Sequence, residues 1–159
     1  GGGYPELYAE QLAKNTSMLA SIKQFVLQNK PCLAECGGFM YLMERYTDKD
    51  GASWPWVGAI KGEVHMTKKL KRFGYITLES STDNLLAKIG EKINAHEFHY
   101  SDSTANGSSF VAKKASSNAQ WECINADDSL CAGYPHMHLW GNPNFAANFI
   151  RACMKTSGE

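Results

Sequence analysis

The sequence predicts an α/β domain. Segments with apolar residues three and four apart alternate with short runs rich in β-branched and aromatic residues, and clusters of Gly, Pro, Asn and Asp separate the two kinds. At 159 residues the chain is long enough for one domain with a sizeable core, and no linker or internal repeat divides it.

Gly1-Gly2-Gly3-Tyr4-Pro5-Glu6 reads as a loop that follows a strand lying outside the sequence. Pro5 opens a helix over residues 5–15, because proline suits the first helical turn. Thr16 or Ser17 caps a second helix, in which Met18, Leu19, Ile22, Phe25, Val26 and Leu27 form an apolar stripe ending before Pro31. A short apolar strand then leads to Cys36, and a helix that starts with two glycines continues to about Arg45. Asp48-Lys49-Asp50-Gly51 is turn chemistry, residues 56–60 and 72–78 read as strands, and residues 83–88 as a short helix. Strands are expected at 95–100, 110–115 and 120–124, with a polar, mobile loop at 101–109 and a turn at 125–128. Residues 130–136 complete the strands. Asn142-Pro143 caps a last helix with Phe145, Phe149, Ile150 and Cys153 on its inner side.

Composition narrows the partners. Acidic and basic residues balance at 16 each, so no net field favours nucleic acid or an anionic membrane. No apolar stretch is long enough to span a bilayer and no leader opens the chain, which predicts a soluble, cytoplasmic protein. Cys32, Cys36, Cys123, Cys131 and Cys153 are odd in number and lie mostly in apolar segments, which suits a reducing compartment without disulfides.

Two clusters carry chemistry. In Ala34-Glu35-Cys36-Gly37-Gly38, a strand turning directly into a helix lifts the sulfur clear of the backbone, and the positive helix end favours thiolate. This parallels the elbow that presents the serine of many hydrolases; the alternative is a buried core cysteine. In Gly133-Tyr134-Pro135-His136-Met137-His138, a histidine stands where a strand runs out before a helix, placed to take and return the thiol proton. The alternative there is an imidazole bonded to backbone. Glu35 either anchors the elbow through its carboxylate or is solvated at the strand end. His96-Glu97-Phe98-His99 invites a zinc reading, but its histidines are three apart in a strand-like segment, on opposite faces, so no metal site is expected. No Gly-rich phosphate loop occurs, so the chain is not expected to bind ATP through one.

Together, Gly1-Gly2-Gly3-Tyr4-Pro5-Glu6-Leu7, the run from Ala34 to Leu42, Met66-Thr67, Phe73-Gly74-Tyr75, His96 to Ser101 and Tyr134-Pro135-His136-Met137-His138 resemble the glutaminase domain of the cobyrinate a,c-diamide synthase family over essentially the whole chain. The resemblance implies a class I glutamine amidotransferase-like, flavodoxin-like fold, with a mostly parallel sheet flanked by helices and its first strands lacking here. It makes residues 1–159 one glutaminase domain of a longer chain with an upstream ATP-dependent synthetase domain. Glutamine would be the substrate, and released ammonia would amidate a corrin bound mainly by that upstream domain. This chain would need no cofactor, ATP and Mg belonging to the synthetase domain. A homodimer is left open.

The resemblance assigns Cys36 as nucleophile and His136 as base, with Gly2, Gly3 and Gly37 forming the oxyanion hole. Backbone donors there approach the substrate with no side chain between, and each is worth roughly 3 kcal/mol in the transition state. Two departures stand out. Classical triad amidotransferases carry a glutamate where this chain has His138, which either orients His136 or packs. The family usually has an aliphatic residue at the position of Pro135, which fixes the backbone before the histidine. The glutaminase halves of cobyric acid synthases and nickel-sirohydrochlorin a,c-diamide synthases fit the same motifs, and a non-catalytic docking module of this fold is the rival of another class.

Overall fold

A computed structural model describes residues 1–156. Pro5–Tyr8 form a 3-10 turn that runs into α1 (Ala9–Lys14), followed by α2 (Thr16–Leu27). The cap of α2 is Asn15, whose side chain accepts the Met18 N–H at 3.2 Å, rather than Thr16 or Ser17. Of the expected stripe on α2, Leu19, Ile22 and Val26 pack inward, while Met18, Phe25 and Leu27 are exposed. Apolar residues at 25, 26 and 27 spread around the helix, so only one of the three can face the core.

A central three-stranded sheet has the order β1 (Cys32–Glu35), β11 (Leu130–Gly133), β10 (Asn125–Ala126), with β1 parallel to β11. After β1 the helix α3 (Gly37–Leu42) is brief: the chain leaves it as β2 (Met43–Thr47), not as helix to Arg45. β2 lies between β3 (Ser53–Pro55) and β4 (Ile60–Met66), and β4 pairs with β7 (Ser101–Ser103). Strand structure therefore flanks residues 56–59 instead of occupying them. The expected mobile loop begins as β7, because Ser101 and Ser103 are buried and pair with β4. A third sheet, ordered β12 (His136–Met137), β6 (Lys92–His99), β5 (Arg72–Ser80), β8 (Phe110–Lys114), β9 (Gln120–Cys123), is antiparallel throughout. Residues 83–88 form turns rather than a helix: Asn84 and Asp83 side chains accept backbone N–H groups of Leu86, Ala87 and Ile89 and so replace helical bonds.

The domain is α/β as expected, but among the described residues only β1–β11 and β2–β4 are parallel pairs. The mostly parallel sheet is thus corrected. The connection between β8 and β9 is too short for the crossover that parallel neighbours require. β11 divides two apolar clusters. Ala132 faces one with Phe39, Met43, Tyr46 and Val64, and Cys131 faces the other with Leu78, Ile93, Phe110 and Phe145. The last helix, α4 (Pro143–Thr156), closes the second cluster through Phe145, Phe149 and Ala152; Ile150 is exposed, contrary to expectation.

Candidate active site

Cys36 follows β1 directly and adopts φ +50°, ψ −109°, a left-handed backbone that a residue with a side chain enters at a cost on the order of 1–3 kcal/mol. Its neighbours hold it there. The Cys36 N–H donates to the Gly133 carbonyl at 2.8 Å, continuing the β1–β11 ladder, and α3 begins at once with Gly37. A side chain on Gly37 would meet the Gly3 carbonyl at 2.8 Å and Pro5 at 2.9 Å, so the amino-terminal glycine loop lies directly against the elbow. The Gly38 N–H donates to the Gly1 carbonyl at 3.1 Å.

The same loop touches the histidine. A Cβ on Gly2 would sit 2.6 Å from Cε1 of His136. His136 emerges just beyond β11, whose Gly133 is in register with Glu35, and Glu35 Oε1 accepts the Met137 N–H at 2.8 Å. The Glu35 carboxylate thus ties the residue before the sulfur to the residue after the imidazole, the anchoring alternative of the two weighed above. Gly37 packs on Gly3 and Gly2 on His136, so the amino-terminal glycine loop links the elbow to the imidazole, although residues 37 and 136 are far apart in sequence. His138 is exposed; its N–H donates to the Asn94 carbonyl at 2.8 Å and its ring lies near Gly141. His136 and His138 share a pocket of about 490 Å³ with Tyr75 and His96, the residue opposite His136 across β12–β6. On the other side of the elbow, Tyr4, Tyr8, Gln11 and Tyr41 line a cleft of about 580 Å³ that reaches Gly37 and Gly38.

The surroundings of the sulfur disfavour its ionisation. Burial pushes the Cys36 thiol above its ordinary range and the charges of Glu6, Glu35 and Glu97 push further, against the Gly37 N–H bonded to the sulfur. Burial and these carboxylates work against the thiolate that the positive end of the six-residue α3 favours. A sulfur nucleophile here needs a base to take its proton as substrate arrives.

The sequence marked the blocks that hold Glu97, His99 and Tyr134, but not that all three side chains are buried. Alternation along β6 turns Ile93, Ala95, Glu97 and His99 inward, so two titratable residues occupy core positions. That pattern of apolar residues two apart was the available signal. Tyr134 stacks on His99 at 3.8 Å and bonds Ser101 through its hydroxyl at 3.0 Å. Burial raises the Glu97 carboxyl to about 7, moderated by Arg72 and a hydrogen bond from Trp121. Burial lowers His99 to about 4, offset in part by the Ser101 carbonyl and Asp102, while Arg72 and Lys71 push it further down.

These two shifts oppose one another. A raised carboxyl gives stability that is present below its unfolded value and lost as pH rises to about 7; a depressed histidine gives the reverse as pH falls to about 4. The native protein should therefore show a shallow melting profile between those limits. Glu97→Gln should melt at higher temperature as pH rises through the window, and His99→Phe at lower temperature. Parallel profiles for all three proteins in thermal melts would refute the assignment.

Comparison with known proteins places this geometry. The family described as CobB/CobQ-like glutamine amidotransferase domain matches residues 1–144. The cobyrinate a,c-diamide synthase of Caldanaerobacter subterraneus subsp. tengcongensis is 39% identical over 155 residues, covering 96% of this chain and 34% of the relative. That of Fusobacterium nucleatum is 41% identical over 150 residues, 91% of this chain and 32% of the relative. The protein of the same name from Methanothermobacter thermautotrophicus is 36% identical over 154 residues, 95% and 33% respectively. The chain spans about a third of the length of these curated relatives.

Proposed function

The chain belongs to the CobB/CobQ-like glutamine amidotransferase domain family, and from that premise we propose that it hydrolyses glutamine through a Cys36 thioester to supply ammonia for ATP-dependent amidation of the a and c carboxylates of cobyrinate. The observation that carries the proposal is the left-handed Cys36 elbow whose Gly37 packs on Gly3, in the same loop whose Gly2 packs on His136. Backbone strain kept in place by surrounding contacts marks positions where geometry serves chemistry.

The chemistry follows from the arrangement. His136 takes the proton from Cys36 as the sulfur attacks the side-chain amide carbon of glutamine. The N–H groups of Gly37 and of the Gly2-Gly3 turn face the developing oxyanion, where fixed donors need no reorganisation. His136 returns the proton to the amide nitrogen, the C–N bond breaks, and ammonia leaves. Water activated by the same imidazole then cleaves the thioester to glutamate and restores the thiol. A neutral resting thiol is consistent with this sequence, because the proton that the sulfur yields is the one that the leaving nitrogen requires.

The synthetase reaction, with its ATP, Mg and corrin, would belong to a further part of the full-length protein, with this domain as its glutaminase. The relatives that share the family are named for cobyrinate, which supports that acceptor over other tetrapyrroles. The test is isotopic. Full-length protein given MgATP, cobyrinate and glutamine labelled with 15N at the side-chain amide should form a diamide carrying two labelled nitrogens, with two glutamates released. Glutamate without labelled corrin would point to another acceptor, and no glutamate at all would overturn the glutaminase assignment.

A further inference from the structure

The outer face of the five-stranded sheet carries a row of uncovered rings. Alternation along β5 and β6 sends Phe73 and Tyr75 outward on one strand and His96 and Phe98 on the other, and the register sets Phe73 opposite Phe98 and Tyr75 opposite His96. Tyr100 continues the row, meeting Phe98 edge to face at 5.7 Å. Phe73 is 59% exposed and Tyr75 77%. The row begins at the site described above, because His136 lies directly opposite His96 across β12–β6 and shares its face. From His96 to Tyr100 it runs about 13 Å, at about 3.3 Å per residue.

Cations stand at the far end of the row. Lys68 and Lys69 lie in the segment before β5, whose Thr67 donates its N–H and its hydroxyl to the Tyr100 carbonyl at 2.7 and 2.8 Å, so the segment is fastened beside the last ring. Both lysines are exposed, and neither forms an ion pair among the described residues. Asp102, close to this segment, is matched by Lys71, and Glu79, at the opposite end of β5, by Lys92 and Lys113. Glu122 lies two strands off, on β9. Protein interfaces are enriched in aromatic residues but depleted of lysine. Rings bordered by unmatched lysines therefore fit a flat, unsaturated molecule with carboxylate arms better than they fit another protein surface.

We propose that this face is one wall of the acceptor site: a tetrapyrrole ring with carboxylate arms lies against Phe73, Tyr75 and Phe98, and Lys68 and Lys69 pair with its carboxylates. The inference rests on the glutaminase reading above and deepens it by giving the acceptor a contact on this domain. Because the face starts at His136, a ring held there stands beside the point where the amide nitrogen is released. Amidation itself, with its ATP and Mg, stays with the further part of the full-length protein, which would form the other wall.

Direct binding to the full-length protein tests it, with cobyrinate followed by its visible absorbance in equilibrium dialysis and with neither glutamine nor ATP present. Phe73→Ser should weaken binding roughly tenfold, the order expected for a lost ring contact together with its buried area. Lys68→Glu combined with Lys69→Glu should weaken it by a similar factor at low salt, and by less as salt rises. Fully esterified cobyrinate, which has no carboxylates, should keep the dependence on Phe73 and lose that on the lysines. Glutamate release and melting temperature should stay near native in both variants, because all three residues are exposed and none belongs to the glutaminase machinery. Native affinity in either folded variant, or no binding to the native protein, overturns the proposal. Weaker binding accompanied by a lower melting temperature shows that the rest of the protein covers this face, and overturns it too. Native protein that binds cobyrinate in this residue-dependent way yet releases no glutamate overturns the glutaminase reading instead.

Discussion

Cys36→Ala should abolish the glutamine-dependent amidation proposed for the full-length protein, while amidation driven by added ammonium chloride should persist. The loss should be on the order of 10⁴- to 10⁶-fold in glutamine turnover, as for removal of other covalent nucleophiles. The structure makes this a clean substitution. Cys36 is buried and its backbone bond to Gly133 does not involve the sulfur, so alanine keeps the ladder and the elbow's chain path. Alanine meets the same left-handed strain as cysteine, and the melting temperature should change little. Loss of the ammonia-dependent reaction as well would mean that Cys36 supports structure or that this domain helps build the amidating site.

If His136 is the base, His136→Ala should forfeit roughly 100- to 10,000-fold in glutamine turnover, the range typical for removal of a general base. His138→Ala should cost much less. The raised proton affinity of the thiol sharpens this expectation, because a sulfur that holds its proton more tightly depends more on a base. His136 is half-buried against Gly2, whereas His138 is exposed and lies toward the turn at Gly141. Both variants should be compared at matched stability, checked by melting. A larger loss from His138 than from His136 would show that the base is the other histidine of the pair.

The elbow was legible because it sits at a joint that sequence marks strongly. A short apolar strand followed by Cys36-Gly37-Gly38 can hardly be read except as an abrupt turn into helix, and the structure has β1, the elbow and α3 in that order. Strands β5, β8 and β9 were visible within two residues of their ends, because β-branched and aromatic residues bounded by turn clusters favour a pleated, half-buried path. What failed was decided by distant partners. Residues 43–45 continue a helical pattern locally, yet pairing with β3 and β4 wins over propensity. Ser101 and Ser103 look like loop residues, but the open side of β4 recruits them into the sheet. The direction of the Cys36 shift was also hidden, because desolvation depends on burial and on carboxylates supplied by other elements, Glu6 and Glu97 among them.

The central claim, that Cys36 is the nucleophile for glutamine, is tested most directly by covalent trapping. Full-length protein treated with an electrophilic glutamine analogue, digested and mapped by mass spectrometry should carry a single adduct on Cys36, and excess glutamine should suppress it. Four competing thiols are present in the chain, so the test discriminates. Burial raises the thiols of Cys32, Cys36 and Cys123 alike, so selective labelling of Cys36 would reflect the elbow and the groups around it rather than its proton affinity. Adducts centred on Cys32 or Cys153, or labelling of Cys36 that glutamine does not suppress, would contradict the account.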